Sequence, residues 1–256
     1  MIDEWEIEIP SLSGDKKRKA YVYLPEDYEY SDRRYPVMYM FDGHNLFFDG
    51  EATFGKSWGL KDYLDRTNTP LIIAAVECNH EGNSRLSEYS PVDFTFKNGE
   101  KIKRRGKKYM DWLVNVFKPY IDENLRTLPD RENTAIGGSS MGGLMTVYAL
   151  AKYNKYFSKG AALSPSLWVE GGKVPDFIHK SKFGKNTLLY TDYGSKEFAN
   201  HESQKKVFSE TVSVLIQKNV AVCACVVQGG THSEASWEKR IPFFMNALGF
   251  KSDEEI

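Results

Sequence analysis

The sequence predicts an α/β fold, a mostly parallel central sheet with helices on both faces and an antiparallel strand pair at its N-terminal end. Three observations carry that expectation. Continuous apolar runs at residues 37–41 and 71–76 suit strands buried on both faces. Stretches of helical periodicity separate such runs, so strands and helices alternate through most of the chain. At residues 133–151 a short apolar run enters a glycine-rich turn and a strong helix former leaves it, which is the strand–turn–helix step of a parallel sheet.

Taken in order, residues 5–9 and 20–24 alternate apolar and polar side chains around Ser13-Gly14-Asp15 and predict the antiparallel pair. Pro36 precedes the buried strand at 37–41, and Asp42-Gly43-His44-Asn45 ends it. Residues 56–66 have helical spacing through Leu60 and Leu64, and 71–76 form the next buried strand. Met110, Leu113, Val114, Phe117 and Ile121 predict a helix over 107–124, with Pro119 kinking it or ending its regular part. Short strands follow at 160–163 and 187–190, an amphipathic helix at 202–217, a strand at 220–227 and a closing helix at 234–247. No repeat, low-complexity tract or linker interrupts this order, so a single domain over 1–256 is expected.

Composition narrows the partners. The 256 residues are 41% hydrophobic and 14% aromatic, enough for a large core. Lysine and arginine number 34 against 35 acidic residues, a net charge of −1 that gives no support to nucleic-acid or anionic-membrane partners. The basic run at 101–108 is expected to be a solvated loop. The chain opens on acidic residues where a secretion signal would be basic, and no run is long enough to span a bilayer. Cys78, Cys223 and Cys225 form no disulfide framework, which fits a reducing compartment and a cytoplasmic location. Cys223 and Cys225 lie two apart in a strand and are expected to pack in the core. The sequence leaves the oligomeric state open and admits a homo-oligomer.

The turn at 138–142 reads Gly138-Ser139-Ser140-Met141-Gly142 and fits G-x-S-x-G in the setting that gives the pattern meaning. A serine held between a strand and a helix occupies a strained backbone conformation, so its neighbours must be small. The helix beginning after it points free N–H groups and a positive dipole end at the hydroxyl. Such a serine needs a base, and the base needs a partner that fixes its tautomer. His232 lies just after the last strand and before the last helix, where a base would sit. The acid should follow the strand at 187–190, and Asp192 and Glu197 compete for the role. The backbone N–H groups of Met141 and His44 are candidate oxyanion donors. His80 can approach the site but suits a surface role, and His179 and His201 are expected to be solvated. No H-E-x-x-H pattern, spaced cysteine pair, phosphate loop or G-x-G-x-x-G occurs, so neither a metal nor a cofactor is expected.

From about Lys19 to the last helix the sequence resembles the "Putative esterase" family of the α/β-hydrolase superfamily. That family includes esterase D (S-formylglutathione hydrolase), feruloyl, acetyl-xylan and enterochelin esterases, and the antigen 85 mycolyltransferases. The landmarks are Met40-Phe41-Asp42-Gly43-His44-Asn45-Leu46-Phe47, Arg85-Leu86-Ser87-Glu88-Tyr89-Ser90-Pro91 and Lys118-Pro119-Tyr120-Ile121-Asp122. They continue in Ala135-Ile136-Gly137-Gly138-Ser139-Ser140-Met141-Gly142-Gly143-Leu144, Leu163-Ser164-Pro165-Ser166-Leu167-Trp168 and His232-Ser233-Glu234-Ala235-Ser236-Trp237.

The resemblance implies an α/β-hydrolase fold and a carboxylesterase-type serine hydrolase with Ser140 as nucleophile, His232 as base, and Met141 and His44 at the oxyanion hole. It points to Glu197 as the acid, because Gly194-Ser195-Lys196-Glu197 looks like the Gly-Thr-x-Asp turn of feruloyl esterases. The glutamate departs from the usual aspartate, which keeps Asp192 as the alternative. The expected substrate is a small-molecule ester with a short acetyl or feruloyl-type acyl group, since no long apolar lid segment interrupts the chain. Trp168, Phe47 and Phe48 are candidates for the acyl pocket, Trp237 is expected to pack, and Arg85 with Glu88 is expected to form a structural pair. Two alternatives use the same residues differently: an acyltransferase acting through Ser140, and a catalytically silent hydrolase-fold binding protein.

Overall fold

The computed structural model describes residues 1–96, 98–171, 173–197 and 201–251. In chain order the elements are β1 (Ile2–Glu8), α1 (Pro10–Ser13), β2 (Lys17–Tyr23), β3 (Val37–Met40), α2 (Leu60–Thr67), β4 (Ile72–Val76) and α3 (Ser84–Glu88). The small pair β5 (Phe94–Thr95) and β6 (Lys101–Ile102) precedes α4 (Gly106–Trp112) and α5 (Lys118–Asn124). Then come β7 (Thr134–Ser139), α6 (Met141–Lys152), β8 (Lys159–Leu163), α7 (Asp176–His179), β9 (Leu188–Gly194), α8 (His201–Gln217), β10 (Ala221–Val227), α9 (Glu234–Glu238) and α10 (Ile241–Ala247).

The main sheet runs β1-β2-β4-β3-β7-β8-β9-β10. β1 and β2 pair antiparallel with Trp5 opposite Ala20, and β2 joins β4 antiparallel. From β4 to β10 every pairing is parallel. This is the α/β-hydrolase architecture expected from the sequence.

Strand alternation divides the core into two layers. Val37 and Tyr39 of β3 face one layer, with Ile136, Phe117, Leu144 and Phe157. Met38 and Met40 face the other, with Trp58, Leu64, Trp237 and Phe244. Helix α6 is buried from Met141 to Ala151, so it needs no polar face, and its apolar residues surround the axis.

Several local expectations are corrected. The helix expected over 107–124 continues from Gly106 to Asn124, but through a wide π turn at Leu113–Phe117 just before Pro119. Proline has no N–H for the carbonyl four residues back, and the wider turn absorbs that loss. The closing helix breaks into α9 and α10, with Pro242 in the first turn of α10. Cys223 and Cys225 do not pack in the core. β10 is the edge strand, no further strand covers it among the described residues, and both thiols are free and exposed. Among the described residues, no helix is long and apolar enough to cross a membrane.

Candidate active site

The turn after β7 shows why the sequence is built from small residues there. Ser140 has φ 57° and ψ −119°, a conformation a non-glycine residue adopts only when its surroundings impose it. Its N–H donates to the Leu163 carbonyl at 3.0 Å, and its own carbonyl accepts from Ser166 N–H at 2.9 Å and Leu144 N–H at 3.0 Å. A Cβ at Gly142 would lie 2.9 Å from Cβ of Phe41, and one at Gly138 would lie 3.1 Å from the Gly142 carbonyl carbon. Glycine at both positions lets the strand end, Phe41 and the start of α6 close around the serine. The Ser140 hydroxyl is 3.4 Å from Oγ of Ser166.

Two strands further along the sheet, the turn at 194–197 positions Glu197. Its Oε2 is 3.0 Å from Nδ1 of His232, which stands in the loop between β10 and α9. Its Oε1 accepts from Gly194 N–H at 2.6 Å, the Ser164 hydroxyl at 2.7 Å and Nη2 of Arg240 at 3.1 Å. The carboxylate is fully buried, while the imidazole is 35% exposed. Burial pushes the Glu197 carboxyl up, but the His232 and Ser164 hydrogen bonds outweigh it and hold it below the ordinary value. An ionised Glu197 keeps a proton on Nδ1 and leaves Nε2 as the basic nitrogen. The His232 ring also packs edge-on to Trp237, with centroids 5.0 Å apart.

Asp192 is engaged elsewhere. Its Oδ1 accepts from Nη1 of Arg240 at 2.9 Å and its Oδ2 from the Tyr190 hydroxyl at 2.7 Å. Ser164 sits between the two carboxylates at φ 47°. Its hydroxyl donates to Glu197 and accepts from Nε1 of Trp237 and Nη1 of Arg240, both at 2.9 Å. Ser164 and Arg240 thus fix the Glu197 carboxylate, and Trp237 fixes Ser164. Sequence reasoning assigned none of them that task, although Ser164 and Trp237 lie in the quoted landmarks.

Across the serine, β3 ends at a turn in which Asp42 is left-handed at φ 57° and Gly43–Asn45 form one 3-10 turn. A Cβ at Gly43 would come within 2.7 Å of the Tyr21 ring. Nε and Nη2 of Arg85 each donate to Asp42 at 2.7 Å. Burial pushes the Asp42 carboxyl up, but the Arg85 guanidinium prevails and holds it below its ordinary value. His44 and Met141 each stand in the first turn of their helices, where backbone N–H groups have no carbonyl within the helix. The His44 imidazole is buried, which pushes its pKa down and keeps it neutral.

The remaining candidates fall as follows. Arg85 and Glu88 do not pair with each other: Arg85 holds Asp42, and buried Glu88 accepts from Arg18 at 3.0 and 2.8 Å. Each pair ties a loop to the sheet, so the structural role stands with different partners. Phe47 is buried against Tyr21, and Phe48 is 38% exposed beside it. Trp168 packs on the other side, against Phe94 and Phe96 with centroids 5.6 and 6.3 Å away. His179 is exposed at the end of α7, and the His201 side chain lies outside the described residues. His80 is not simply solvated; it packs edge-on to His44 with centroids 4.6 Å apart.

A parallel sheet, a strained serine at its strand-to-helix turn and a carboxylate-bound histidine after the last strand define an α/β-hydrolase. Residues 11–245 match the family described as "Putative esterase", and the chain belongs to that family; it is a carboxylesterase-type hydrolase. YbbA of Bacillus subtilis, an uncharacterised protein, is 27% identical over 93% of this chain and 94% of its own length. An endo-1,4-beta-xylanase/feruloyl esterase of Xylanibacter ruminicola is 26% identical over 90% of this chain and 29% of its own. Among solved structures, an IroE-like serine hydrolase from Shewanella oneidensis superposes with a TM-score of 0.72 at 21% identity, covering 97% of this chain and 78% of that one.

Proposed function

We propose that this domain hydrolyses small or short-acyl esters, of acetyl or feruloyl type, through an acyl-enzyme formed on a Ser140-His232-Glu197 triad. The observation that carries the reading is the Glu197–His232 hydrogen bond, taken with a serine held in a strained strand-to-helix turn of the same sheet. In the proposed cycle His232 Nε2 takes the Ser140 proton as Oγ attacks the ester carbonyl. Glu197 stabilises the imidazolium, and the N–H groups of Met141 and His44 bind the oxyanion. The imidazolium protonates the leaving alcohol, and water then repeats the sequence to release the acid. Asp192 is not the acid in this reading, because Arg240 and Tyr190 occupy its oxygens.

An aromatic acyl group is supported by Trp168, Phe94 and Phe96. Trp168 lies two residues beyond Ser166, whose backbone and hydroxyl both approach Ser140. The Xylanibacter ruminicola relative, named in part a feruloyl esterase, agrees with that class of substrate. Ser140→Ala should lower kcat on an aryl acetate by about 10⁴–10⁶-fold and abolish labelling by a fluorophosphonate. Near-normal turnover by that variant would overturn the reading.

The same proposal extends to assembly and location. β10 reads Ala-Val-Cys-Ala-Cys-Val-Val, an uncharged edge strand with most of its side chains exposed. Ala221 N–H and Val227 C=O point toward β9, so Val222, Ala224 and Val226 turn their backbone groups to the open edge. Its central five residues are palindromic about Ala224, which suits antiparallel pairing with a second copy across a two-fold axis. Free exposed thiols on that strand suit a reducing, cytoplasmic compartment.

A further inference from the structure

Beside the oxyanion turn lies a group that ester hydrolysis does not use. His44, Cys78 and His80 each offer a ligand atom, and these atoms lie within 4.8 Å of one another. Cys78 Sγ is 3.9 Å from Nδ1 of His80. The His44 ring has one nitrogen, Nε2, 3.0 Å from the Thr53 hydroxyl; the other, Nδ1, is buried and has no hydrogen-bond partner. Nε2 of His80 is 3.4 Å from Glu77. Each imidazole is therefore held from behind by an oxygen, the arrangement that orients histidine toward a metal.

We infer that His44 Nδ1, Cys78 Sγ and His80 Nδ1 form a binding site for a borderline-soft divalent cation of the zinc class. Two imidazoles and a thiolate suit that ion better than magnesium or calcium, which prefer oxygen ligands. Tetrahedral coordination with the usual Zn–N and Zn–S lengths separates ligand atoms by roughly 3.3–3.6 Å. The set must contract a little, and His80, 53% exposed in the loop after β4, is the member able to move. Its exposure also gives the ion a way in. On binding, Cys78 releases its thiol proton to solvent, and the thiolate reduces the added charge from two to one. The fourth position stays open to water. Because His44 lies on the turn after β3 and the other ligands follow β4, the ion clamps two adjacent strand ends together.

The test uses the full chain, both as wild type and with Cys223→Ser/Cys225→Ser so that the exposed thiols contribute nothing. Chelator-treated protein is titrated with cobalt(II) and with zinc. The expected result is one ion per chain, a thiolate-to-cobalt charge-transfer band, and a zinc-dependent rise in Tm. Cys78→Ser should abolish the band. His80→Ala, at an exposed position that leaves the fold intact, should weaken zinc binding by more than about tenfold. Absence of the thiolate band, or equal zinc affinity in wild type and His80→Ala, would overturn the site. Neither readout depends on turnover, so this result is independent of the triad assignment.

Discussion

The Glu197 carboxylate meets Nδ1 of His232 with one oxygen while its other oxygen is held by Ser164, Gly194 and Arg240. The carboxylate is thus immobilised where it meets the imidazole. A buried glutamate free to choose rotamers would spend part of its time turned from the imidazole, and the longer side chain makes that restraint more important than for aspartate.

The two carboxylates should separate by kind of defect. Glu197→Gln should lower kcat per folded molecule by about 10⁴-fold, because the wrong imidazole tautomer is favoured. Asp192→Asn removes one of the two carboxylates that neutralise buried Arg240, the other being Glu197, and should cost on the order of 3 kcal/mol of stability. Its kcat per folded molecule should stay within tenfold of wild type. Esterase kinetics beside chemical denaturation of both variants make the comparison; a larger kcat loss in Asp192→Asn would exchange the assignments.

Acid should reveal the same residue through stability. The folded Glu197 carboxyl titrates below its ordinary value of 4.5. Its ionised contribution is therefore present above about pH 4.5 and lost as pH falls through the folded value. Denaturation curves between pH 3 and pH 6 should show wild type losing stability more steeply than Glu197→Gln on the acid side. Parallel curves would mean that the shift is absent.

Arg85 should matter to both stability and rate. Arg85→Met strands the buried Asp42 carboxylate, at a cost on the order of 3 kcal/mol. It also frees the turn that carries His44, and a displacement of about 1 Å there should lower kcat by about 10²-fold. Adding Asp42→Asn removes the unpaired charge and should restore much of the Tm without restoring the rate. Full recovery of kcat in the double variant would show that the turn does not depend on this pair.

The β10 edge makes a prediction about mass. Light scattering should report a dimer for the wild type and a monomer for Ala224→Lys, which sets two lysines opposite each other at the proposed axis. Across that axis Cys223 faces Cys225 of the second copy in the close, non-hydrogen-bonded register, so a mild oxidant should link the chains. A monomeric wild type that oxidation leaves unlinked would remove the dimer.

Much of this protein was legible in one dimension. The buried strands at Val37 and Ile72, the glycine turn around Ser140 and the helix after it depend on short-range pattern and local sterics, which the residues carry with them. Tertiary contacts decided the rest. The closing helix, expected unbroken over 234–247, breaks before Pro242, and the break allows Arg240 to reach Asp192, Ser164 and Glu197, three partners far away in the chain. Cys223 looks like a core residue until the strand order makes β10 an edge. Asp192 and Glu197 are equivalent by spacing, and hydrogen bonds from Arg240 and Tyr190 distinguish them. The sequence by itself determined the alternation of elements and the turn that strains Ser140, because those follow from neighbours in the chain. Only the folded structure decided which carboxylate reaches His232 and which cysteines meet solvent, because both depend on groups brought together from distant segments.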